Sequence, residues 1–239
     1  MLAVSTPTPV PEFTQKPSVR TTLMNEHQHM LSKTMRARDS TSIATEMMQL
    51  LKDSQFSPYI GEAISQQEHM LQAAYHAKLD GCRNEVVLAA LLHDFGHICA
   101  EQDAEQMGDP THGTAHHEFI GATYLRVRGF SEEIISMVAA HVDAKRYLTW
   151  KRGQEYYSKL SPASSFTLMC QGGPMNEAEA TAFEHDPLFA EKLAIRYCDE
   201  KAKIAPHPEH IPTADSYIPL LAAHIDEQRR LRQSQAVVA

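Results

Sequence analysis

The stretch Leu88-Ala89-Ala90-Leu91-Leu92-His93-Asp94-Phe95-Gly96-His97 decides how this chain folds. Together with the two valines before it, the stretch begins as an uninterrupted apolar run, which is typical of a helix buried on most of its surface. The run ends in His93 and Asp94, and burying both is unfavourable unless a partner compensates. A metal ion would compensate, because imidazole nitrogens and carboxylate oxygens are ligands for Fe, Zn, Mn or Mg. A histidine hydrogen-bonded to a neighbouring aspartate in the core is the other interpretation.

Composition excludes several classes of protein. The chain has 239 residues, of which 43% are hydrophobic, enough for one sizeable core. Its net charge is −8 without a basic stripe, which argues against nucleic acid as a partner but leaves room for an anionic small molecule. The four cysteines form no C-x-x-C pair, which indicates reduced thiols and a cytoplasmic location. No apolar run is long enough to span a membrane, so no membrane partner is expected.

The rest of the chain reads as helices joined by short connections. Residues 1–40 are rich in Ser, Thr and Pro, and we expect a disordered or loosely packed N-terminal extension. Residues 41–239 then form a single domain. No segment alternates with a period of two, so the predicted class is all-α, an irregular helical bundle. Nothing in the sequence fixes the oligomeric state.

Several helix boundaries can be read from capping signals. Ser65 with Glu68, and Asn176 with Glu179, each form a capping box that opens a helix. The helix that contains the opening stretch is predicted over residues 84–98. The segment that Ser131 caps is predicted to run as one helix through residue 141 towards residue 148.

Histidines and aspartates occur on the apolar faces of five of these helices. Any one of them alone is more often capped or salt-bridged than a metal ligand. As a set they suit two metals, because a carboxylate can lie between two cations. Nitrogen-rich ligation without cysteine favours Fe or Mn over Mg. The candidate ligands are His69, His93, Asp94, His117, His141 and Asp199.

These residues resemble a known pattern. His69, the pair His93-Asp94 and Asp199 resemble the H…HD…D signature of the HD-domain superfamily. The additional His117 and His141 resemble its two-metal members. Most of these are phosphohydrolases, and a smaller branch consists of mixed-valent diiron oxygenases. That branch includes myo-inositol oxygenase and the organophosphonate oxygenases of the PhnZ and TmpB type.

Local strings favour the organophosphonate oxygenases over myo-inositol oxygenase. Together they cover about residues 55–205, and their occurrence in one order is more specific than H-D alone. They are Tyr59-Ile60-Gly61-Glu62, H-D-x-G-H at residues 93–97, His117-Glu118 with Gly121-Ala122, residues 141–148, residues 171–175, and Asp199-Glu200-Lys201-Ala202-Lys203.

The resemblance implies two irons, a mixed-valent Fe(II)/Fe(III) pair, with O2 as co-substrate. Asp94 would bridge the two irons. His117 is preferred to His116 because it directly precedes Glu118 in the family-like string. The first iron would be bound by His69, His93, Asp94 and Asp199, and the second by Asp94, His117 and His141.

Further residues are candidates for contact with a phosphonate. Lys145 lies four residues after His141, on the same helical face, where its ammonium could hold a phosphonate oxygen. His97 follows Asp94 by three and could donate to the same anion. Their alternatives are a solvated lysine and a helix-capping histidine. Asp94, His97 and Lys145 are the residues for which a catalytic role is expected.

A polar stripe and a loop complete the candidate substrate site. Ser164, Thr167 and Gln171 share one face of a short helix, where they could surround phosphonate oxygens, although ordinary capping would explain them too. Tyr59 and Glu62 lie in a loop, where the resemblance implies contacts to the amine end of the substrate; a capped turn is the structural alternative.

The implied activity is O2-dependent cleavage of a carbon–phosphorus bond. The substrate would be a 2-amino-1-hydroxyethylphosphonate or its N-trimethyl analogue, giving phosphate and glycine or glycine betaine. Whether the amine is primary or methylated stays open. An HD-type metal-dependent phosphohydrolase acting on a nucleotide or phosphate ester is the alternative, and a non-catalytic metal-binding module is the third hypothesis.

Overall fold

The computed structural model describes residues 38–59, 61–100 and 113–238. The N-terminal extension predicted over residues 1–40 lies almost wholly outside these residues. The described residues contain twelve α-helices and no strand, so the predicted all-α class is confirmed. The helices are α1 (Ser40–Asp53), α2 (Gln66–Leu79), α3 (Asn84–Leu92), α4 (Gly96–Cys99), α5 (His117–Arg128), α6 (Glu132–Ala139), α7 (His141–Arg152), α8 (Gln154–Tyr157), α9 (Pro162–Cys170), α10 (Glu177–Glu184), α11 (Phe189–Lys201) and α12 (Ile218–Val238).

Both predicted capping boxes are present. Ser65 accepts a hydrogen bond from the Glu68 backbone N–H at 3.2 Å, and the Glu68 carboxylate accepts the Ser65 N–H at 2.7 Å. Asn176 and Glu179 make the same reciprocal pair ahead of α10. Each box satisfies backbone N–H groups that a helix N-terminus otherwise leaves without a partner, so it fixes where α2 and α10 begin.

The helix predicted over residues 84–98 is interrupted, and so is the one predicted from Ser131 to residue 148. α3 ends at Leu92, and a turn precedes α4. α6 ends at Ala139, and α7 begins at His141. At both breaks a histidine Nδ1 lies 2.8 Å from the carbonyl oxygen three residues earlier. That side chain competes for the carbonyl that the next helical N–H would use, which the apolar pattern could not reveal.

α3 is the centre of the bundle. All of its residues from Val86 to Leu92 are buried, as the apolar run predicted. It packs against α2, α6 and α11, while α1 packs against α12 at the periphery. The carboxyl end of α3 brings His93 and Asp94 to a point that side chains of four other helices reach, α2, α5, α7 and α11. Among the described residues no helix has the length and apolarity needed to cross a bilayer.

The contact between α4 and α5 depends on a glycine. A Cβ atom at Gly96 would lie 1.9 Å from the backbone oxygen of His117, far inside van der Waals contact. Only glycine therefore allows the start of α5 to approach α4 this closely. This approach positions His117 beside Asp94.

Candidate metal and substrate site

Two pairs of imidazoles meet at the carboxyl end of α3. The Nε2 atoms of His69 and His93 are 3.1 Å apart, and those of His117 and His141 are 2.9 Å apart. All four side chains are buried. Their Nε2 atoms, with Asp94, form two clusters that could each hold a metal ion.

The Asp94 carboxylate lies between the two pairs. Its Oδ2 is 3.3 Å from the Nε2 atoms of both His69 and His93. Its Oδ1 is 3.4 Å from the Nε2 atoms of both His117 and His141. Burial alone would raise the pKa of Asp94, but the surrounding imidazoles, His93 foremost, hold that pKa well below its ordinary range. The anion thus presents one oxygen to each cluster.

Backbone carbonyls determine which imidazole nitrogens carry hydrogen. Each Nδ1 faces a carbonyl oxygen and donates to it, so the Nε2 of each neutral imidazole presents a lone pair to the cluster. Burial lowers the pKa of His69, but hydrogen bonds to Asp199 and Asp94 raise it to about 9, so a metal ion would replace a proton on its Nε2. Two such lone pairs about 3 Å apart cannot hydrogen-bond to each other, and a cation between them removes the conflict. The donor set therefore fits metal ions. The distances are 2.8 Å for His69 to Ala202, 2.8 Å for His93 to Ala90, 3.2 Å for His117 to Thr114, and 2.8 Å for His141 to Val138.

Asp199 and Tyr59 flank the His69 side of the site. Asp199 Oδ1 lies 3.4 Å from His69 Nε2, and its Oδ2 accepts a hydrogen bond from Arg196. The Tyr59 ring stacks on His69 with centroids 3.7 Å apart, and its hydroxyl is 3.5 Å from Asp199 Oδ1. Tyr59 was expected at the amine end of a substrate, whereas the structure has it against these two candidate ligands.

A cavity of about 40 Å³, the inner pocket, opens directly on the carboxylates of the cluster. Lys145 is buried at its wall and donates to Thr167 Oγ1 at 2.9 Å. Burial, with Arg196 nearby, lowers the pKa of Lys145 to about 7. The pocket combines donors with carboxylates, as an anion bound beside metal ions requires. It is lined by Tyr59, Asp94, His97, His117, His141, Val142, Lys145, Ser164, Thr167, Gln171, Arg196 and Asp199.

His97 is a neutral hydrogen-bond donor to this pocket. Its Nδ1 accepts the Thr114 backbone N–H at 3.1 Å, so its Nε2 carries the hydrogen. The ring stacks on His117 with centroids 3.9 Å apart. Burial, and then the nearby His117, hold the pKa of His97 well below its ordinary value, so it stays uncharged near neutral pH.

Glu62 is the one predicted substrate-contacting residue that does not line the inner pocket. It lines a second cavity of about 350 Å³, which we call the outer cavity. There it forms an ion pair with Lys203 at 3.1 Å. The sequence resemblance implied that this carboxylate would meet a substrate amine. The two residues are 141 positions apart, and no local spacing indicates that they meet.

Two residues near the site were not singled out from the sequence. Arg196 lines both cavities, and its Nη2 atom is buried without a hydrogen-bond partner among the described residues. Arg196 could have been recognised from its position three residues before Asp199, because this spacing puts both side chains on one helical face. Lys203 lay within a family-like string but was given no role. The alternative ligand His116 is exposed, with φ 56°, and is not in either cluster.

The sequence is similar to those of several known proteins. The HD domain family matches residues 67–166. The chain is 40% identical over 172 residues to an uncharacterized protein of Acanthamoeba polyphaga mimivirus, covering 72% of this chain and 76% of the relative. It is 41% identical over 147 residues, 62% of this chain, to the [1-hydroxy-2-(trimethylamino)ethyl]phosphonate dioxygenase (glycine-betaine-forming) of Leisingera caerulea, covering 73% of that protein. It is 36% identical over 163 residues, 67% of this chain, to the hydroxymethylphosphonate dioxygenase of Gimesia maris, covering 78% of that protein.

The helical bundle with its clustered histidines and aspartates is therefore that of an HD-domain protein with a metal site. Within that class, the chain's sequence identity to the two phosphonate dioxygenases, over most of their length, identifies its branch. The chain belongs to the HD-domain oxygenases of the PhnZ and TmpB type.

Proposed function

We propose that this protein uses O2 to cleave the carbon–phosphorus bond of a 2-amino-1-hydroxyethylphosphonate or of [1-hydroxy-2-(trimethylamino)ethyl]phosphonate. The broader class follows from the family: the enzyme is a dioxygenase that acts on organophosphonates. The observation that carries the proposal is the position of Asp94, with one oxygen facing each imidazole pair beside the donor-rich inner pocket. The reaction would give phosphate and glycine, or phosphate and glycine betaine.

The proposed cofactor is a mixed-valent pair of iron ions. His69, His93, Asp94 and Asp199 would hold one ion, and Asp94, His117 and His141 the other. Nitrogen and carboxylate donors without cysteine suit iron. When bound, the metal pair supplies the binding and reduction of O2. The protein's contribution is to fix four imidazoles and two carboxylates in one buried site.

The inner pocket would bind the phosphonate group. Lys145 offers an ammonium, and His97 offers a neutral Nε2–H. Hydrogen bonds from charged donors to phosphonate oxygens are the stronger kind, so Lys145 is expected to contribute most to substrate affinity. The polar side chains expected around the remaining oxygens are Ser164, Thr167 and Gln171, all of which line the pocket.

Oxygen balance fits the assignment of a dioxygenase. A 1-hydroxyphosphonate, R–CH(OH)–PO3²⁻, and O2 give R–COO⁻, HPO4²⁻ and H⁺. The C–H and C–P bonds break, the carbon is oxidised, and O2 is reduced. One added oxygen appears in the carboxylate and the other in phosphate. No further reductant or oxidant is needed, which matches a site that offers only metal ligands and anion-binding donors.

Tyr59 would have to move for substrate to bind. The inner pocket of about 40 Å³ has room for only a few waters, which is less than an aminophosphonate needs. The Tyr59 ring covers His69, and its hydroxyl approaches Asp199. Displacement of this ring would connect the inner pocket to the loop that carries Glu62. Once the ligand is in place, the same loop would exclude bulk water from the reacting centre.

The deciding experiment compares phosphate release by iron-loaded protein with and without O2. Both proposed substrates and hydroxymethylphosphonate are tested, and the organic product is identified. We expect oxygen-dependent phosphate release from one of the two amine-bearing compounds, and an EPR signal from the mixed-valent pair. Phosphate release without oxygen from a phosphate ester would overturn the proposal in favour of a phosphohydrolase. Absence of turnover under all conditions would point to a non-catalytic metal-binding module.

A further inference from the structure

A largely buried ion pair between Lys203 and Glu62 lies in the outer cavity. Lys203 Nζ is 3.1 Å from Glu62 Oε1, and both side chains are 18% exposed. The same ammonium lies 3.3 Å from Ser161 Oγ and 3.2 Å from Ser164 Oγ. An ammonium has three hydrogens to donate, so these three acceptors satisfy it completely. The Glu62 carboxylate is thereby neutralised by a residue of the protein itself.

The backbone holds both partners of this ion pair. The segment around Lys203 is tied to α2, because His69 donates to the Ala202 carbonyl at 2.8 Å. The Gln72 amide adds two bonds to the backbone of Ile204, each 2.9 Å long. On the other side, the Glu62 N–H donates to the Tyr59 carbonyl at 3.0 Å and closes a turn. The ion pair is therefore built into the fold and is not a chance contact of two flexible side chains.

The ion pair also lies where the two cavities meet. Ser164 lines both of them, and it accepts a hydrogen bond from Lys203. Lys203 Nζ is 5.7 Å from the centroid of the Tyr59 ring. The ring thus has His69 on the metal side and the lysine ammonium on the outer side. A substrate whose phosphonate occupies the inner pocket would extend its other end towards this ion pair.

We propose that Lys203 determines substrate specificity by occupying Glu62 until the cationic end of a substrate replaces it. This inference rests on the proposed function. Because Lys203 already neutralises Glu62, a substrate ammonium pairs fully with this carboxylate when Lys203 withdraws, and Ser161 and Ser164 can keep the displaced lysine hydrogen-bonded. A phosphonate with an uncharged end leaves the ion pair intact. Lys203 therefore weakens the binding of amine-bearing phosphonates and leaves the binding of amine-free ones nearly unchanged.

The first test replaces the ammonium with an uncharged chain of similar length, Lys203→Met. The anaerobic Kd of metal-loaded protein is measured by calorimetry for 2-aminoethylphosphonate and for ethylphosphonate, which lacks the amine. We expect the variant to bind 2-aminoethylphosphonate about three- to fivefold more tightly, the upper part of the range for a partly exposed ion pair. The affinity for ethylphosphonate should change by less than about twofold. As a matched control, Lys159→Met removes a charge from the wall of the same cavity, where Lys159 pairs with Glu155 instead of Glu62.

The second test uses Glu62→Gln alone and combined with Lys203→Met. In the single variant the lysine has lost its anion, so the Kd for 2-aminoethylphosphonate should rise. In the double variant part of that rise should be recovered, because no uncompensated cation is left. Equal effects on both phosphonates, a gain in Lys159→Met as large as in Lys203→Met, or no binding at all would overturn the inference. Selective tightening for the amine without any turnover would keep it and would instead overturn the proposed reaction.

Discussion

Each oxygen of Asp94 faces a different pair of imidazoles, so this single side chain belongs to both candidate metal sites. Replacing it with asparagine removes the shared anion while it keeps the shape. We expect Asp94→Asn to lose both metals. His141→Ala removes a ligand of one cluster only and should retain about half of the metal. Elemental analysis of purified, metal-reconstituted protein measures both values. Full metal content in Asp94→Asn would contradict a bridging carboxylate.

Lys145 is the only lysine that lines the inner pocket among the residues described. Lys145→Met should raise the KM for the phosphonate substrate about ten- to hundredfold, because a hydrogen bond from a charged donor is lost. Metal content should stay the same, since Lys145 is not a proposed ligand. Lys151→Met is the control, because it removes a charge from the same helix at a surface ion pair with Glu184. A KM that is unchanged in Lys145→Met would exclude it from phosphonate binding.

The pKa of Lys145 makes binding depend on pH. Burial, and then the charge of Arg196, lower this pKa to about 7, and bound metal cations would lower it further. The free site near pH 8 therefore holds mostly neutral lysine. A phosphonate anion favours the charged form and raises the pKa again, so binding should take up a proton and weaken as pH rises above about 7. Calorimetry in buffers of different ionisation enthalpy measures the uptake. Proton release on binding would contradict this account.

At the scale of the elements, sequence patterns predicted where helices begin better than where they break. Capping boxes are local, so Ser65 and Asn176 mark the starts of α2 and α10 unambiguously. The breaks after α3 and α6 depend on His93 and His141, whose Nδ1 atoms bind backbone carbonyls. Such a bond has no signature in hydrophobic periodicity. The same side chains that interrupt the helices are the ones whose orientation the site requires.

The contact of α4 with α5 makes Gly96 sensitive. Gly96→Ala would force the backbone at His117 to move, because the new Cβ would lie 1.9 Å from its oxygen. We expect a loss of about 1–3 kcal/mol of stability and selective loss of the metal held by His117 and His141. Gly121→Ala is the milder control, since its Cβ would lie 3.1 Å from the nearest atom. Denaturation and metal analysis test this; two metals in a fully stable Gly96→Ala would refute it.

At the scale of the whole molecule, metal ions should contribute to folding. Six ionisable side chains converge in the core, and cations would separate the facing imidazole nitrogens and neutralise the two buried carboxylates, Asp94 and Asp199. Removing the metals with a chelator should lower Tm by about 5–10 °C, the shift expected when free metal is about 100 times its Kd. Adding iron back should restore Tm. Asp94→Asn should show no such difference. A Tm unaffected by chelation would show that bound metal does not stabilise the fold.

The overall class and the ligand candidates could be predicted because they depend on local patterns: an apolar run, and a His or Asp on an apolar helical face. The neutralisation of Glu62 could not be predicted from the sequence, since it depends on Lys203, which lies 141 residues away along the chain. The stacking of Tyr59 on His69 could not be predicted either, because it depends on the conformation of the loop that carries Tyr59. Hydrophobic periodicity thus predicts the helical bundle, whereas the contacts between polar side chains that are distant in sequence require the structure.

The carbonyls that orient the four imidazoles have a consequence for biosynthesis. His93, His117 and His141 are each oriented by a residue three positions earlier, so Asp94 and the last two histidines have emerged from the ribosome, with their supports, well before α11 is made. His69 must wait for Ala202, and its neighbouring carboxylate, Asp199, comes from the same late segment. A nascent chain therefore holds all the proposed ligands of one metal before it holds all those of the other. A chain that ended ahead of α11 would lack both Asp199, a proposed ligand, and the Ala202 carbonyl that orients His69.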